Sequence, residues 1–185
     1  ILDSVSIVHE VPQPKSFPQD WDGIEFRDVS FRYDNEHVLR NVSLKIKKGE
    51  KLALVGSSGA GKSTLINLLP RFFDPTSGQI FIGGTSIHEM KLAELRANVA
   101  LVTQDVFLFS DSVEKNIWSG NFNKTPEGIA QAAKLANADK FIENNPDGYD
   151  SRVGERGARF SGGEKQRISI ARAIFKDAPI LILDE

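Results

Sequence analysis

The sequence predicts an α/β fold, a mainly parallel sheet core with an antiparallel β unit ahead of it and a helical arm set into it. Three observations predict it. Residues 51–55 form a largely apolar run, followed by Gly56-Ser57-Ser58-Gly59-Ala60-Gly61-Lys62-Ser63-Thr64 and a helical pattern. Such an order is a strand running through a glycine-rich turn into a helix. Residues 24–33 alternate apolar and polar side chains (Ile24, Phe26, Val29, Phe31, Tyr33, with a shift near Asp28), as a half-buried strand does. Near the far end, Ile180-Leu181-Ile182-Leu183 is an unbroken apolar run, which suits a parallel strand buried on both faces.

The elements follow in order. Residues 1–23 carry Pro12, Pro14 and Pro18 with little periodicity and read as an ordered tether or linker, leaving 24–185 as the domain proper. Asp34-Asn35-Glu36 is turn chemistry, and 38–46 reads as the antiparallel partner of the first strand. After the strand at 51–55, a helix is expected over 61–73, broken by Asp74-Pro75-Thr76-Ser77-Gly78. A hairpin of 79–82 and 85–87 turns around Gly83-Gly84. Residues 91–96 form a short helix and 99–103 a buried strand, while 112–118, 125–136 and 138–144 look helical and form the arm. A last helix over 161–176 leads to the strand at 179–183.

Composition narrows the classes. The 185 residues suffice for one core, and 23 basic against 25 acidic residues give a net charge of -2 with no basic stripe, so nucleic-acid binding has no support. No cysteine is present, which is compatible with a reducing compartment. No apolar run approaches the roughly 18–20 residues that span a bilayer, and the start has no signal-peptide layout. Any membrane-spanning part is expected outside this chain.

Gly56 to Thr64 fits G-x-x-x-x-G-K-[ST]. Glycine lets backbone N–H groups approach phosphate oxygens closely, Lys62 reaches the outer phosphates, and the Ser63 hydroxyl ligates Mg²⁺. At the other end, Asp184 and Glu185 follow a central strand at the sheet edge where α/β folds place ligands. Asp184 would hold Mg²⁺ and Glu185 would act as general base on the attacking water; alone, the pair also suits a solvated acidic turn. Ser161-Gly162-Gly163-Glu164 opens a helix, either as a second anion-binding terminus or as an ordinary cap.

Together these motifs resemble, over about residues 24–185, the nucleotide-binding domain of an ATP-binding cassette (ABC) transporter, a P-loop NTPase core. Gly56–Thr64 matches Walker A, 180–185 matches Walker B, and Phe160-Ser161-Gly162-Gly163-Glu164 matches the family signature, usually Leu-Ser-Gly-Gly-Gln. Phe160 and Glu164 depart from that pattern, while Ser161 and Gly163, the phosphate-facing positions, keep it. The resemblance implies that Tyr33 stacks on adenine and that Gln104 touches Mg²⁺ and water. Residues 106–117 and 153–157 resemble the exporter type, as in bacterial lipid and multidrug exporters, including the lipid A flippase group.

That resemblance implies ATP and Mg²⁺ as ligands and Glu185, Gln104 and Lys62 as catalytic groups. It also implies a second nucleotide-binding domain as partner, a homodimer in the first instance. Gly56, Ser57, Ser58, Gly59, Ala60, Gly61, Lys62, Ser63 and Thr64 of one domain would face Ser161, Gly162 and Gly163 of the other. A transmembrane partner would carry the membrane contact, at the cytoplasmic face of the inner (plasma) membrane. The family's later D-loop and switch histidine have no match, since His9, His37 and His88 lie early. The expectation is therefore a fragment that binds Mg-ATP weakly and turns it over slowly. Two other readings stay open: a soluble ABC ATPase of repair or translation, and an ATP-responsive module without hydrolysis. The transported substrate is not legible.

Overall fold

The computed structural model describes residues 8–154 and 157–184, in two compact units that meet in the chain between Asn98 and Val99. The N-terminal unit begins with β1 (Gly23–Tyr33) and β2 (Glu36–Lys47), an antiparallel pair in which Ile24 faces Ile46 and Phe26 faces Leu44. The shift seen in the alternation is a bulge. Asp28 takes φ +48°, the register slips between Phe26 and Val29, and Ser43 Oγ binds both the Asp28 amide and its carboxylate. Ile24, Phe26, Val29 and Phe31 thereby stay on the buried side.

Next come α1 (Lys62–Leu68), β3 (Ser77–Ile82) and β4 (Thr85–Ser86), which complete a sheet of order β2-β1-β3-β4. Gly83 and Gly84 both take positive φ, +53° and +75°, the mirror-image turn whose twist matches a hairpin. The helix expected to reach residue 73 stops at Leu68. Pro70 has no N–H to continue the ladder, and Arg71 then swings to φ +53°.

The strand expected over 51–55 does not form. Those residues lie in no sheet and are exposed, Val55 by 93%. A strand exists only where a neighbour offers its hydrogen-bonding ladder, and none of the described strands pairs with this run. The tether, in contrast, is docked. Val8, Phe17 and Trp21 are buried, and Lys15 bridges to Met90 beside the 3₁₀ turn Ile87–Glu89. The Phe17 amide donates to Glu94 Oε2 at 2.9 Å on α2 (Leu92–Ala97).

The C-terminal unit contains β5 (Val99–Val102), the helical arm α3 (Val113–Trp118), α4 (Ile129–Leu135) and α5 (Asp139–Glu143), then α6 (Gly162–Lys176) and β6 (Ile180–Leu183). β5 and β6 pair in parallel, Val99 opposite Ile180 through Val102 opposite Leu183. α6 is the spine of the unit. Its Ile168, Ala171 and Phe175 pack with Val113, Ile117, Ala133 and Ile142 of the arm, and Ala173 packs on Ala100 and Val102. β6 departs from the expectation of burial on both faces, because Leu181 and Leu183 are 54% and 57% exposed. Only the face carrying Ile180 and Ile182 is covered, and β5 is its one partner among the described strands.

Candidate functional site

The glycine loop is built by backbone conformation. Gly59 and Gly61 take φ +80° and +84°, values L side chains resist, and they turn the chain from residues 51–55 into α1. Lys62 curls back over the loop, donating from Nζ to the Gly56 and Ser57 carbonyl oxygens at 2.8 and 2.9 Å. The first turn of α1 contains no acidic residue and no side-chain cap. A cation at the mouth of an exposed loop, with nothing acidic in the first turn behind it, fits a phosphate group. Thr64 is buried under the loop, whereas Ser63 is exposed beside Lys62.

Gly61 also locks the loop to the antiparallel sheet. A Cβ built there would lie 2.8 Å from Leu39 Cδ2 and 3.1 Å from both Val38 Cγ1 and the Val38 carbonyl oxygen. Left-handed strain plus overpacking predict that Gly61→Ala destabilises the N-terminal unit by roughly 2–4 kcal/mol. Denaturant titration checks this, and an unchanged midpoint would contradict the packing. Leu39 pairs with Phe31 across β1 and β2, two residues before Tyr33. The loop and Tyr33 are thus parts of one packed unit. Tyr33 is 42% exposed, with its ring edge-to-face against Phe31 and Phe73.

In the C-terminal unit, the carboxyl ends of the two parallel strands lie side by side. The Asp184 amide donates to the Val102 carbonyl oxygen at 2.9 Å, which places Asp184 next to the loop that carries exposed Gln104. Glu185, expected as general base, lies outside the described residues. So do Glu155 and Arg156 of the 153–157 segment, whose Val153 is buried and bonded to the Asp111 carbonyl oxygen.

Ser161 caps α6, with Gly162 and Gly163 exposed in its first turn. The cap that the sequence allows at Ser161 is a full capping box, set by the S-x-x-E spacing to Glu164. Glu164 Oε2 accepts from the Ser161 amide and from Ser161 Oγ, both at 2.8 Å, while the Glu164 amide donates to Ser161 Oγ. The Ser161 amide, then its hydroxyl, hold the Glu164 carboxyl below its ordinary 4.5, so it is anionic at neutral pH. Beyond Gly163, Arg167 lies over the Phe141 ring at 5.0 Å.

The 106–117 segment is tied to α6 by a buried polar knot. Asn116, fully buried, accepts at Oδ1 from the Phe109 amide and Arg172 Nη2 and donates from Nδ2 to the Phe109 and Ser112 carbonyl oxygens. Arg172 donates further to the Asn116 and Phe107 carbonyl oxygens. Burial lowers its guanidinium to about 10, still charged at neutral pH. This knot leaves the Phe107 and Phe109 rings exposed, 62% and 49%. Asn116 lies in the segment 106–117 that resembles the exporter type, whereas no sequence signal singled out Arg172.

The chain matches the ABC transporter family over residues 39–185. It is 54% identical over 165 residues to the putative multidrug export ATP-binding/permease protein YgaD of Bacillus subtilis (strain 168), covering 88% of this chain and 28% of that protein. It is 49% identical over 185 residues to the ATP-dependent lipid A-core flippase of Syntrophus aciditrophicus (strain SB), covering 100% of this chain and 31% of that protein. Among solved structures, a bacterial Atm1-family ABC exporter with ATP bound aligns with TM-score 0.95 and 41% identity, over 100% of this chain and 32% of that one. The chain thus spans under a third of the length of these relatives. A family match over most of its length, and the mixed α/β fold with separate antiparallel and parallel sheets, lead to one conclusion: this chain belongs to the ABC transporter family, whose domain binds ATP.

Proposed function

We propose that this chain is the ATP-binding and ATP-hydrolysing part of a membrane exporter of lipid or other hydrophobic molecules. The observation that carries the reading is Lys62, an ammonium held by two carbonyls at the mouth of an exposed glycine loop. Support for export comes from relatives named as a multidrug export protein and a lipid A-core flippase.

In this reading Tyr33 stacks on the adenine, and Gly56 to Thr64 wrap the phosphates. Lys62 leaves its two loop carbonyls for the outer phosphates, exchanging dipoles for full anionic charge. Ser63, Asp184 and Gln104 would hold Mg²⁺, which would supply Lewis acidity to the phosphates. Glu185 orients and deprotonates the attacking water. Ser161, Gly162 and Gly163 close over the phosphates of a second nucleotide-binding domain, a second copy of this chain by preference, in a head-to-tail pair. Ser161 Oγ then turns its donated hydrogen bond from Glu164 to a phosphate oxygen. A transmembrane partner supplies the path, a reading supported by the relatives named as an export permease and a flippase; among the described residues no helix is long and apolar enough to cross a membrane. The exposed Phe107 and Phe109 segment meets that partner at the cytoplasmic face of the inner membrane.

The native polypeptide, reconstituted in lipid vesicles, is expected to hydrolyse Mg-ATP and to move a fluorescent lipid across the bilayer only while ATP is supplied. Absence of ATP turnover would overturn the enzymatic reading. Turnover by a protein that stays in the soluble fraction and moves no lipid would overturn the exporter reading.

A further inference from the structure

Tyr33 does not stand alone at the end of β1. Its ring meets Phe31 at 4.8 Å between centroids and Phe73 at 5.6 Å, with interplanar angles of 85° and 88°. Phe31 and Phe73 also touch each other, at 5.7 Å. Three mutually contacting rings, two of them edge-to-face on the third, define the tilt of Tyr33 while leaving 42% of that residue exposed. Phe31 is buried in the sheet, so it is a fixed wall. Phe73 comes from elsewhere, on the turn that follows α1.

That origin gives Phe73 its meaning. α1 begins at Lys62, directly after the glycine loop, and the chain leaving it carries Phe73 back onto Tyr33. The turn itself is rigid. Arg71, fully buried at φ +53°, grips Asp74 through two bonds of 2.8 and 2.9 Å on the far side of Phe73. At the other end, Gly61 presses on Val38 and Leu39 of the strand paired with β1. The phosphate end and the aromatic end of the unit are therefore joined twice, through β2 and through the α1 turn.

We infer that Phe73 is a positioning residue, holding the Tyr33 ring at the tilt that stacks a purine base and so contributing to nucleotide affinity without touching the phosphates. The inference rests on the proposed role of Tyr33 as the base-stacking side chain. Leucine at position 73 fills much of the volume but offers no ring edge, so Tyr33 gains freedom that base binding must then remove.

The test measures ATP and inorganic triphosphate binding to the native polypeptide and to Phe73→Leu, Phe73→Tyr and Tyr33→Ala. Phe73→Leu is expected to weaken ATP binding by about threefold to tenfold while leaving inorganic triphosphate affinity unchanged. Phe73→Tyr, which keeps the ring, is expected to bind ATP as the native protein does. Tyr33→Ala is expected to lose more ATP affinity than Phe73→Leu. If Tyr33→Ala weakens ATP binding but Phe73→Leu does not, the inference on Phe73 fails and the reading of Tyr33 stands. Equal weakening of ATP and triphosphate by Phe73→Leu would mark a general structural role and overturn the inference. Native ATP affinity in Tyr33→Ala would overturn the base-stacking role itself, and the inference with it.

Discussion

Lys62→Ala is expected to weaken ATP binding by about a hundredfold or more. Each charge-assisted hydrogen bond from an ammonium to phosphate contributes about 1.5–3 kcal/mol, and every 1.4 kcal/mol is a factor of ten in affinity. Two such bonds lost together account for the effect. A second loss adds to it, because the same Nζ bridges the Gly56 and Ser57 carbonyl oxygens and so holds the loop in shape before any ligand arrives. Lys62→Arg separates the two contributions. It restores charge, but a planar fork does not fit the point-like position between two carbonyls. Calorimetric titration with ATP reads both variants, and native affinity in Lys62→Ala would remove the phosphate-loop assignment.

Arg71→Ala is expected to destabilise the N-terminal unit by about 3 kcal/mol, the lower end of the roughly 3–5 kcal/mol seen when one partner of a buried ion pair is removed. The side chain is fully buried, with Asp74 about one-third exposed, so the orphaned carboxylate keeps some water. The guanidinium does more than pair with Asp74. It donates to the His88 carbonyl oxygen at 3.1 Å and to the His9 carbonyl oxygen at 3.2 Å, pinning the tether to the core. Alanine takes the donor from those carbonyls, and Arg71→Lys, with one nitrogen for several acceptors, restores little. Denaturant titration measures the loss. A native midpoint in Arg71→Ala would show that the hub contributes nothing net.

How much of this was legible depends on how local each feature is. The bulge at Asp28, the Gly83-Gly84 hairpin and the cap at Ser161 are readable from adjacent residues, since each is decided within one or two turns of chain. The capping box is equally local, decided by the three-residue spacing of Ser161 and Glu164. Burial was where sequence reasoning misled. Residues 51–55 and 180–183 share an apolar character, yet the first form no strand and the second is covered on one face. An apolar run states what a segment would bury, not whether a neighbour is there to bury it.

Arg71 and Phe73 left no trace in the pattern at all. A positive φ at an arginine and an aromatic after Pro70 mean nothing until His9, His88 and Tyr33 arrive from distant parts of the chain. The sequence by itself determined the family, the Gly56–Thr64 motif with Lys62, and the order of the helices and of every strand but the one expected over 51–55, because periodicity, glycine spacing and capping act over a few residues. Only the tertiary structure decided that the tether is docked, that Lys62 rests on Gly56 and Ser57, and that Phe73 braces Tyr33. Those contacts join residues far apart in the chain, and packing, which rewards shape and satisfied polar groups wherever they meet in space, selects them.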